Sequence, residues 1–353
     1  MIADVPVGCF LSGGVDSSLI TYFAAKQVKN LPTYSVSFPG FIKLDETKYA
    51  QQSAKICGTK HTVIPFTPKK VRPIIENIGS LIDEPIIDAA FLPLYLLAQR
   101  ARKDIKVILT GDAGDELFAG YQRYQKELLL ERAREFFKFI PAASWFFAKI
   151  PFSKLSRLAK PLKENYSSQK LWNKKMLGQF LSPDKNFVFQ QRIKVKTENP
   201  LSFMQKTDLL GFLAEQLLMK TDKATMTHSL EARLPYLDSK IINFAFELPS
   251  KYKLKGIQGK YLLKKVAEQY FPKSLVWRKK QGFSVPLNYW FKKELKDIVY
   301  DSIKALKEFS SLFDCQYYQY IVKQHMESEK NYADQIWGII VLTKFLKYHR
   351  FNE

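Results

Sequence analysis

Short apolar runs alternate with amphipathic segments along the first third of the chain. The apolar runs have the length of buried strands and lie at residues 5–11, 33–38, 60–64 and 106–109. The intervening segments repeat apolar residues with helical spacing and lie at residues 17–27, 45–57, 68–79 and 89–103. Strands and helices that alternate in this way form βαβ units. We therefore predict an α/β fold over residues 1–124, with a parallel sheet and flanking helices.

The pattern changes near Tyr124. Beyond it, strand-like runs are rare, and helical patterns rich in Phe, Leu and Lys dominate. One such pattern predicts a helix over residues 136–147, interrupted at Pro141. Further helices are predicted near Leu171, near Leu209 and at residues 317–325 and 336–348, the last of them mostly buried. We predict that residues 125–353 form a mainly helical part that completes the domain and its active site.

The chain of 353 residues carries a net charge of +21, which is unevenly distributed. Residues 1–124 hold 14 basic and 12 acidic residues, whereas residues 125–353 hold 41 and 22. A basic half is typical of nucleic-acid contact, but it is also typical of Lys-rich helix faces in water. We favour solvated faces because no RNA-binding signature accompanies the charge, and we expect no nucleic-acid partner.

Composition excludes several other classes of protein. Hydrophobic residues make up 46% of the chain, which is enough for a buried core. No run of about 18 apolar residues predicts a membrane span, and the first residues lack the pattern of a signal peptide. The three cysteines, Cys9, Cys57 and Cys315, match no disulfide or metal spacing. These features predict a cytoplasmic protein without a membrane partner.

A loop rich in glycine and serine follows the first predicted strand, with the sequence SGGVDS at residues 12–17. Gly13 and Gly14 permit a tight turn and the close approach of a phosphate. Ser12 and Ser17 add hydroxyl donors just before a helix, where backbone N–H groups favour an anion. Asp16 would repel a phosphate unless Mg²⁺ is bound with it. The Lys-Ser/Thr pair of a Walker A loop is missing.

A second loop, LTGDAGDELFAGY at residues 109–121, follows the fourth predicted strand. In parallel sheets the ligand lies at the carboxyl ends of the strands. The acidic residues of this loop could therefore hold Mg²⁺ against pyrophosphate. They could equally belong to a capped helix whose acidic first turn stabilises the helix dipole.

The first loop resembles the pyrophosphate-binding loop, SGGxDSS, of the ATP-pyrophosphatase (PP-loop) superfamily. Three later stretches narrow the resemblance, at residues 220–238, 259–264 and 272–286. Taken in order, all five stretches resemble the synthetase domain of glutamine-dependent asparagine synthetases, over nearly the whole chain. Asp45 and Glu46 also resemble that family's pattern.

The resemblance implies an AMP-forming carbon–nitrogen ligase that uses ATP and Mg²⁺. Aspartate's side-chain carboxylate would attack the α-phosphorus of ATP, giving β-aspartyl-AMP and pyrophosphate, and ammonia would then displace AMP to give asparagine. Adenylation is needed because a carboxylate oxygen is a poor leaving group. Such a protein must neutralise the departing pyrophosphate and align the reacting groups.

The resemblance also implies roles for single residues. The ATP-binding residues would be Leu11, Ser12, Gly13, Gly14, Asp16, Ser17, Val36, Thr110 and Gly111. Of these, Asp16 would also hold Mg²⁺, together with Asp115.

Further roles lie beyond the two loops. Lys260 would stabilise the transferring phosphoryl group and the later oxyanion. Asp112 occupies a position that often holds Glu and that shapes the site of the intermediate. Glu231 and Arg233 would either bind substrate or pair with each other.

Glutamine-dependent members of the family begin with a glutaminase domain whose amino-terminal cysteine attacks glutamine. This chain starts four residues before its first predicted strand, and Cys9 lies inside that strand. We therefore expect the glutaminase domain to be absent. Ammonia would be used free or supplied by a separate glutaminase chain or domain. The resemblance leaves room for a homodimer.

Two other functions stay open, and a third is disfavoured. The same loop chemistry would serve an amidotransferase that acts on another carboxylate, such as a sugar acid or a peptide. An RNA-modifying enzyme built on this loop would use the basic half to grip RNA. A non-catalytic remnant is disfavoured, because Ser12, Asp16, Asp115 and Lys260 are all intact.

Overall fold

A computed structural model describes residues 2–138, 162, 166, 174–181, 195, 197, 199–279 and 284–349. The predicted helix over residues 136–147 lies within this part only as far as Lys138. The helical segment predicted near Leu171 lies outside the described residues, as does the stretch 280–283 of the fifth motif.

Five parallel strands form one sheet in the order β3-β2-β1-β4-β5. The strands are β1 (Val7–Phe10), β2 (Pro32–Ser37), β3 (Lys60–Pro65), β4 (Val107–Leu109) and β5 (Glu231–Arg233). The central strand β1 aligns Cys9 with Thr33 on one side and with Leu109 on the other. The predicted parallel sheet is therefore confirmed. β2, β3 and β4 match the predicted runs to within one residue at each end, and β1 lies inside the predicted run 5–11.

The fifth strand was not predicted. β5 has only three residues, Glu231, Ala232 and Arg233, and this short polar stretch lacks the apolar run of a buried strand. It forms because its backbone pairs with β4, where Leu109 aligns with Arg233. The sheet therefore extends into the part of the chain for which we predicted helices.

Helices cover the sheet between successive strands, as predicted. They are α1 (Val15–Ala25), α2 (Thr47–Cys57), α3 (Pro68–Glu76), α4 (Ile78–Leu81) and α5 (Phe91–Ala101). The single helix expected at residues 68–79 is instead split at Asn77. The side-chain amide of Asn77 donates to the Pro73 carbonyl at 2.9 Å, which offers the backbone an alternative to a continued helix.

The rest of the described chain is mostly helical, beginning with α6 (Gly114–Leu117) and α7 (Gln122–Lys138). The α-helices that follow are Lys174–Phe180, Pro200–Asp208, Met219–Met226, Ser239–Glu247, Ser250–Lys253, Tyr261–Ala267, Lys273–Val276, Leu287–Trp290, Lys296–Leu306, Cys315–Met326 and Ala333–Tyr348. A π-helix spans Leu209–Leu218, and 3-10 turns span Pro235–Leu237 and Lys307–Phe309. In the described part of the chain, no helix is both long and apolar enough to cross a membrane.

The main core joins the sheet to the end of the chain. The closing helix Ala333–Tyr348 buries Ile336, Trp337 and Ile340 completely, which confirms the prediction of a mostly buried final helix. These side chains share one cluster with Tyr34 of β2 and with Phe291. The carboxyl-terminal part therefore packs into the same core as the first strands.

Strand order determines where a ligand can bind. The chain passes from β1 to β2 and β3 on one side of the sheet and then returns to β4 on the other side of β1. The loops that follow β1 and β4 therefore lie side by side at the carboxyl ends of adjacent strands, where the strand order reverses and where such sheets bind ligands. Both predicted loops lie at this switch point.

Candidate functional site

The loop after β1 gathers donors at the start of α1. The Ser12 N–H donates to Ser17 Oγ at 3.2 Å, and the Gly14 N–H donates to Ser12 Oγ at 3.3 Å. The two hydroxyl oxygens are 3.0 Å apart. Gly14 precedes α1, and no side chain caps the first turn. This arrangement places hydroxyls and helix N–H groups together, which suits a phosphate.

Position 13 requires glycine, both for its backbone conformation and because its neighbours leave no room for a Cβ. Its φ is +74°, in the left-handed region that favours glycine. A Cβ on Gly13 would lie 2.5 Å from the Ala50 nitrogen and 2.5 Å from the Tyr49 carbonyl carbon. The loop therefore lies directly against the backbone of α2.

The loop after β4 packs against the loop after β1 through two further glycines. A Cβ on Gly111 would lie 2.8 Å from the Ser17 nitrogen, and one on Gly114 would lie 2.6 Å from Asp16 Oδ1. Thr110 begins this loop and donates its N–H to the Arg233 carbonyl at 3.0 Å, which extends the pairing with β5. Glycine at these positions brings the two loops into direct contact.

Lys260 links the two loops. Its Nζ donates to Asp16 Oδ2 and lies 2.7 Å from Asp115 Oδ1. Its side chain is only 6% exposed, and the side chains of Asp16 and Asp115 are 14% and 15% exposed. The structure thus brings together one ammonium and two carboxylates from three distant segments of the chain.

The backbone around Lys260 is shaped for this contact. Lys260 has a left-handed φ of 57°, and its N–H donates to the Phe118 carbonyl at 3.0 Å. A Cβ on the preceding Gly259 would lie 2.3 Å from the Ala119 carbonyl oxygen. The glycine therefore lets the segment that carries Lys260 approach the segment that carries Asp115.

Charge keeps this lysine protonated. Burial alone would lower the pKa of Lys260, but the carboxylates of Asp115 and Asp16 outweigh it and raise the pKa above its usual value. With both carboxylates ionised, two negative charges face one positive charge. Within the described residues, Asp16 Oδ1 is buried and accepts no hydrogen bond.

Such a site fits Mg²⁺. An unpartnered carboxylate oxygen is the type of ligand that Mg²⁺ takes, and Mg²⁺ is commonly bound through one or two carboxylates plus phosphates and waters. The described residues contain no cluster of three or more metal-ligating side chains. Asp16 and Asp115 would therefore need the phosphates of a bound nucleotide to complete the coordination.

Glu116 lies next to Asp115 and is 1% exposed. Burial, helped by the charge of Asp115, raises the pKa of Glu116 to about 7. Its Oε1 accepts a hydrogen bond from the Tyr121 hydroxyl at 2.7 Å. Near neutral pH this carboxyl is partly protonated, so it adds less negative charge to the site than its neighbour.

A second buried lysine supports α6, the helix that carries Asp115. Lys253 is 1% exposed and donates to Gln205 Oε1 at 3.0 Å. The Gln205 amide in turn donates to the carbonyls of Glu116 and Leu117 at 2.6 and 2.7 Å. Burial lowers the pKa of Lys253 to about 8. These hydrogen bonds hold the end of α6, whose last carbonyls lack helical partners.

Asp112 lies in the same loop but points to other partners. Its Oδ2 accepts from Thr110 Oγ1 at 2.9 Å and from Thr221 Oγ1 at 3.3 Å. The half-buried Asp112 therefore joins the β4 loop to the helix Met219–Met226.

Two other predicted residues flank the switch point. Leu11 is buried against α2, and its N–H donates to the Tyr34 carbonyl at 2.9 Å. Val36 lies near the carboxyl end of β2, and its carbonyl accepts from Thr47 Oγ1 at 3.4 Å.

The backbone of Arg233 pairs with the start of the β4 loop, but the side chains of Glu231 and Arg233 have partners outside the two loops. They are 57% and 39% exposed at the side chain, and Arg233 Nε donates to Glu231 Oε1 at 2.6 Å. Arg233 also donates to the Ile2 carbonyl at 2.6 Å, so its guanidinium is directed toward the start of the chain. Of the two alternatives predicted for this pair, the structure has the two residues bound to each other.

Sequence reasoning missed three residues at this site. Gly120 leaves room for the lysine, since a Cβ there would lie 2.0 Å from Asp115 Oδ1 and 2.2 Å from Lys260 Cε. Arg278 donates to the Gly13 carbonyl of the first loop, and Lys253 supports the second loop through Gln205. Both belong to a charge-rich part of the chain. In the sequence, Gly120 follows a predicted strand by eleven residues (120 − 109), but nothing marks which lysine or arginine folds inward.

The matches to known proteins agree with this geometry. The family model described as asparagine synthase matches residues 1–350. The chain is 31% identical over 371 residues to the glutamine-hydrolyzing asparagine synthetase 1 of Bacillus subtilis, covering 100% of the chain and 57% of that protein. It is 26% identical to asparagine synthetase B of Escherichia coli, covering 84% of the chain and 44% of that protein. It is 24% identical to the glutamine-hydrolyzing asparagine synthetase of Rattus norvegicus, covering 96% of the chain and 52% of that protein.

The chain thus spans about half the length of the curated relatives it matches. The family model, by contrast, covers nearly all of it, including both loops and the segment that carries Lys260. The residues at the switch point and the family match lead to one conclusion: the chain belongs to the asparagine synthase family.

Proposed function

We propose that this chain is the synthetase part of an AMP-forming amide ligase, which makes asparagine from aspartate, ATP and ammonia. The observation that supports it most strongly is the contact of Lys260 with Asp16 and Asp115 beside the loop over residues 12–17. This arrangement suits the transfer of a nucleotidyl group, because it joins a phosphate cradle to a fixed cation and to metal-ligating carboxylates.

In this proposal the phosphate tail of ATP lies in the loop after β1. The Ser12 and Ser17 hydroxyls and the first N–H groups of α1 would donate to its oxygens. Asp16 and Asp115 would hold Mg²⁺, which when bound neutralises charge on the leaving pyrophosphate. The carboxylate oxygen of aspartate attacks the α-phosphorus, and the bond to the bridging oxygen breaks to release pyrophosphate.

In this proposal Lys260 acts as a hydrogen-bond donor in both steps, the adenylation of aspartate and the attack by ammonia. Its ammonium is the charged donor closest to the carboxylates, and it would stabilise negative charge that develops on the transferring phosphoryl group. In the second step ammonia attacks the acyl carbon, AMP leaves, and the nitrogen loses a proton. The same ammonium would then stabilise the oxyanion on that carbon. Glu116, with a pKa of about 7, lies next to Asp115 and lowers the negative charge around it when protonated.

We also propose, on the family resemblance alone, that ammonia enters free or from a glutaminase domain or chain. The division of the chain near residue 124 stays a prediction. In the structure, residues on both sides of that boundary contribute to the site, since Asp16 and Asp115 precede it and Lys260 follows it.

The test is pyrophosphate exchange into ATP with the purified chain, Mg²⁺ and a panel of acids. We expect exchange with aspartate, release of AMP rather than ADP, and asparagine formation with ammonium but not with glutamine. Exchange with a sugar acid or a peptide instead of aspartate would replace the proposed substrate. Release of ADP would refute the proposed chemistry.

A matched pair of lysine variants isolates the site. Lys260→Met should abolish exchange, whereas Lys265→Met should keep it, because Lys265 is 48% exposed and pairs with Glu268. Lys260→Arg retains a cation between the carboxylates and serves as a check on folding. Equal exchange in Lys260→Met and wild type would remove the role proposed for this ammonium.

A further inference from the structure

An arginine from the carboxyl-terminal part of the chain reaches the loop after β1. The Arg278 side chain is 13% exposed, and its Nη2 donates to the Gly13 carbonyl at 3.2 Å. Gly13 is the left-handed residue of the loop, and 265 positions separate it from Arg278. The contact therefore forms only when the two ends of the fold have come together.

Two neighbours fix the guanidinium of Arg278. Its Nη1 donates to Glu46 Oε1 at 2.5 Å, just before α2 begins. Its Cζ lies 4.2 Å from the centre of the Tyr49 ring, in cation–π contact. Tyr49 also touches Gly13 directly. The guanidinium is thus oriented by a carboxylate and an aromatic ring while its Nη2 meets the loop.

Glu46 also offsets the charge of Arg278. A guanidinium already paired at 2.5 Å with a carboxylate is a weaker anion ligand than an unpaired one. The geometry therefore favours a role in shaping the loop over direct binding of the phosphate.

The bond to the Gly13 carbonyl controls the next N–H. In a planar trans peptide the carbonyl of Gly13 and the N–H of Gly14 point in opposite directions. With its carbonyl held by Arg278, this peptide directs the Gly14 N–H to the other side, where it donates to Ser12 Oγ at 3.3 Å. That is the side on which the Ser12 and Ser17 hydroxyls meet.

The peptide needs such an anchor because both its residues are glycines. Without a Cβ, Gly13 and Gly14 have access to many backbone conformations, including those in which this peptide is turned over. In a turned-over state the Gly14 N–H would point away from the hydroxyls. A ligand that needs this N–H binds more weakly in proportion to the fraction of loops in the correct state.

We propose that Arg278 is a positioning residue for the phosphate-binding loop, holding the Gly13–Gly14 peptide so that its N–H faces the phosphate tail. This inference rests on the proposed function for the identity of the ligand. It predicts that Arg278 affects the binding of pyrophosphate and of the triphosphate tail, and leaves binding of the adenosine part unchanged.

The test is calorimetric titration of the full chain with magnesium pyrophosphate, with a magnesium complex of non-hydrolysable ATP, and with AMP. In Arg278→Met we expect the affinities for pyrophosphate and for the ATP analogue to fall about tenfold, which corresponds to the loss of one charge-assisted hydrogen bond. The affinity for AMP should stay within about twofold of wild type, because AMP has no β- or γ-phosphate to meet the loop.

Three further variants complete the design. Arg278→Lys keeps a donor for the Gly13 carbonyl but not the fork that also meets Glu46, so an intermediate affinity for pyrophosphate is expected. Glu46→Gln keeps a hydrogen-bond acceptor for Arg278 and should weaken pyrophosphate binding less than Arg278→Met does. Arg72→Met removes an arginine that pairs with Asp297 and should leave all three affinities unchanged.

Unchanged pyrophosphate affinity in Arg278→Met would overturn the inference. So would an equal loss of AMP and pyrophosphate affinity, which would indicate general damage to the fold. The proposed function fails separately: a wild-type chain that binds pyrophosphate but shows no aspartate-dependent exchange would refute the ligase while leaving the role of Arg278 intact. A wild-type chain that binds no pyrophosphate would refute both.

Discussion

Gly120→Ala is a test of the site that separates catalysis from folding. Gly120 lies beside the contact between Lys260 and Asp115 and does not have a positive φ, so alanine fits its backbone. An added methyl group would lie 2.0 Å from Asp115 Oδ1 and 2.2 Å from Lys260 Cε. Both of these atoms belong to the far ends of side chains, which can move without a large shift of the backbone.

The required movement follows from these distances. Ordinary van der Waals contact begins at 3.4 Å, so Asp115 Oδ1 must retreat by 1.4 Å (3.4 − 2.0) and Lys260 Cε by 1.2 Å (3.4 − 2.2). A displacement of about 1 Å at reacting groups typically costs about 100-fold in rate. Overpacking of a buried position typically costs about 1–3 kcal/mol of stability, which a folded domain of this size can tolerate.

The assay compares aspartate-dependent pyrophosphate exchange with thermal unfolding. We expect Gly120→Ala to lose about 100-fold in exchange while it unfolds cooperatively at a modestly lower temperature. Gly178→Ala is the control, because a Cβ at Gly178 meets nothing within 4 Å and lies in the helix Lys174–Phe180. There alanine should stabilise the helix by about 1 kcal/mol and leave exchange unchanged.

The reasoning would be refuted by full exchange activity in Gly120→Ala. It would mean either that Lys260 and Asp115 need not be in contact for catalysis, or that both side chains can move as far as calculated without loss. A melted or aggregated variant would instead place the cost of the methyl group in the backbone, against the side-chain movement argued above.

Three further predictions concern single residues in the site and in the core. Asp16→Asn should abolish Mg²⁺-dependent pyrophosphate release, because the buried Oδ1 is assigned to the metal; undiminished release would remove that assignment. Trp337→Ala, at a fully buried core position, should lower the free energy of unfolding by about 3–5 kcal/mol in denaturant titration. The control Tyr348→Ala removes a side chain that is 58% exposed on the same helix and should change that free energy by about 0.5 kcal/mol or less. Burial, and then the charge of Lys292, lower the pKa of His325 from 6.5 to about 4. The unfolded chain therefore takes up this proton first as pH falls, so the fold should lose stability between about pH 6.5 and pH 4, and His325→Gln should show a flatter dependence of unfolding on pH; equal slopes would contradict the shift.

The sheet could be predicted because its information is local. An apolar run followed by a helical pattern predicts both β1 and the helix α1 that follows it, and the next strands are predicted in the same way. β5 carries no such pattern, since Glu231 and Arg233 are polar and the strand forms only by pairing with β4. A three-residue strand of this kind depends on its neighbour, and no property of its own sequence distinguishes it from a turn.

The site residues likewise divide into those that a local sequence pattern indicates and those that only the folded structure identifies. Asp16 and Asp115 could be selected as candidates because each follows a strand within a glycine-containing loop, and the carboxyl ends of parallel strands meet at one edge. Lys260 was selected only through resemblance to a family, because by itself it is one lysine among many in a basic half. Arg278 and Gly120 received no role, since the importance of Arg278 lies in a 3.2 Å hydrogen bond to the distant Gly13 and that of Gly120 in the room it leaves for Lys260.

The charge at the switch point explains why these distant segments must meet. Gly114 packs against Asp16 and Gly120 against Asp115, and both carboxylates contact Lys260. Two carboxylates that are only 14% and 15% exposed would repel each other without a nearby cation. Lys260 supplies one positive charge, so the three groups together still carry a net charge of −1. A nucleotide triphosphate would add several more negative charges at the same place. The helix dipole of α1 offsets only about half a charge. It follows that this arrangement favours a triphosphate only together with a divalent cation. Before that cation binds, Lys260, contributed by the carboxyl-terminal part, offsets the repulsion between the two carboxylates and so keeps them side by side.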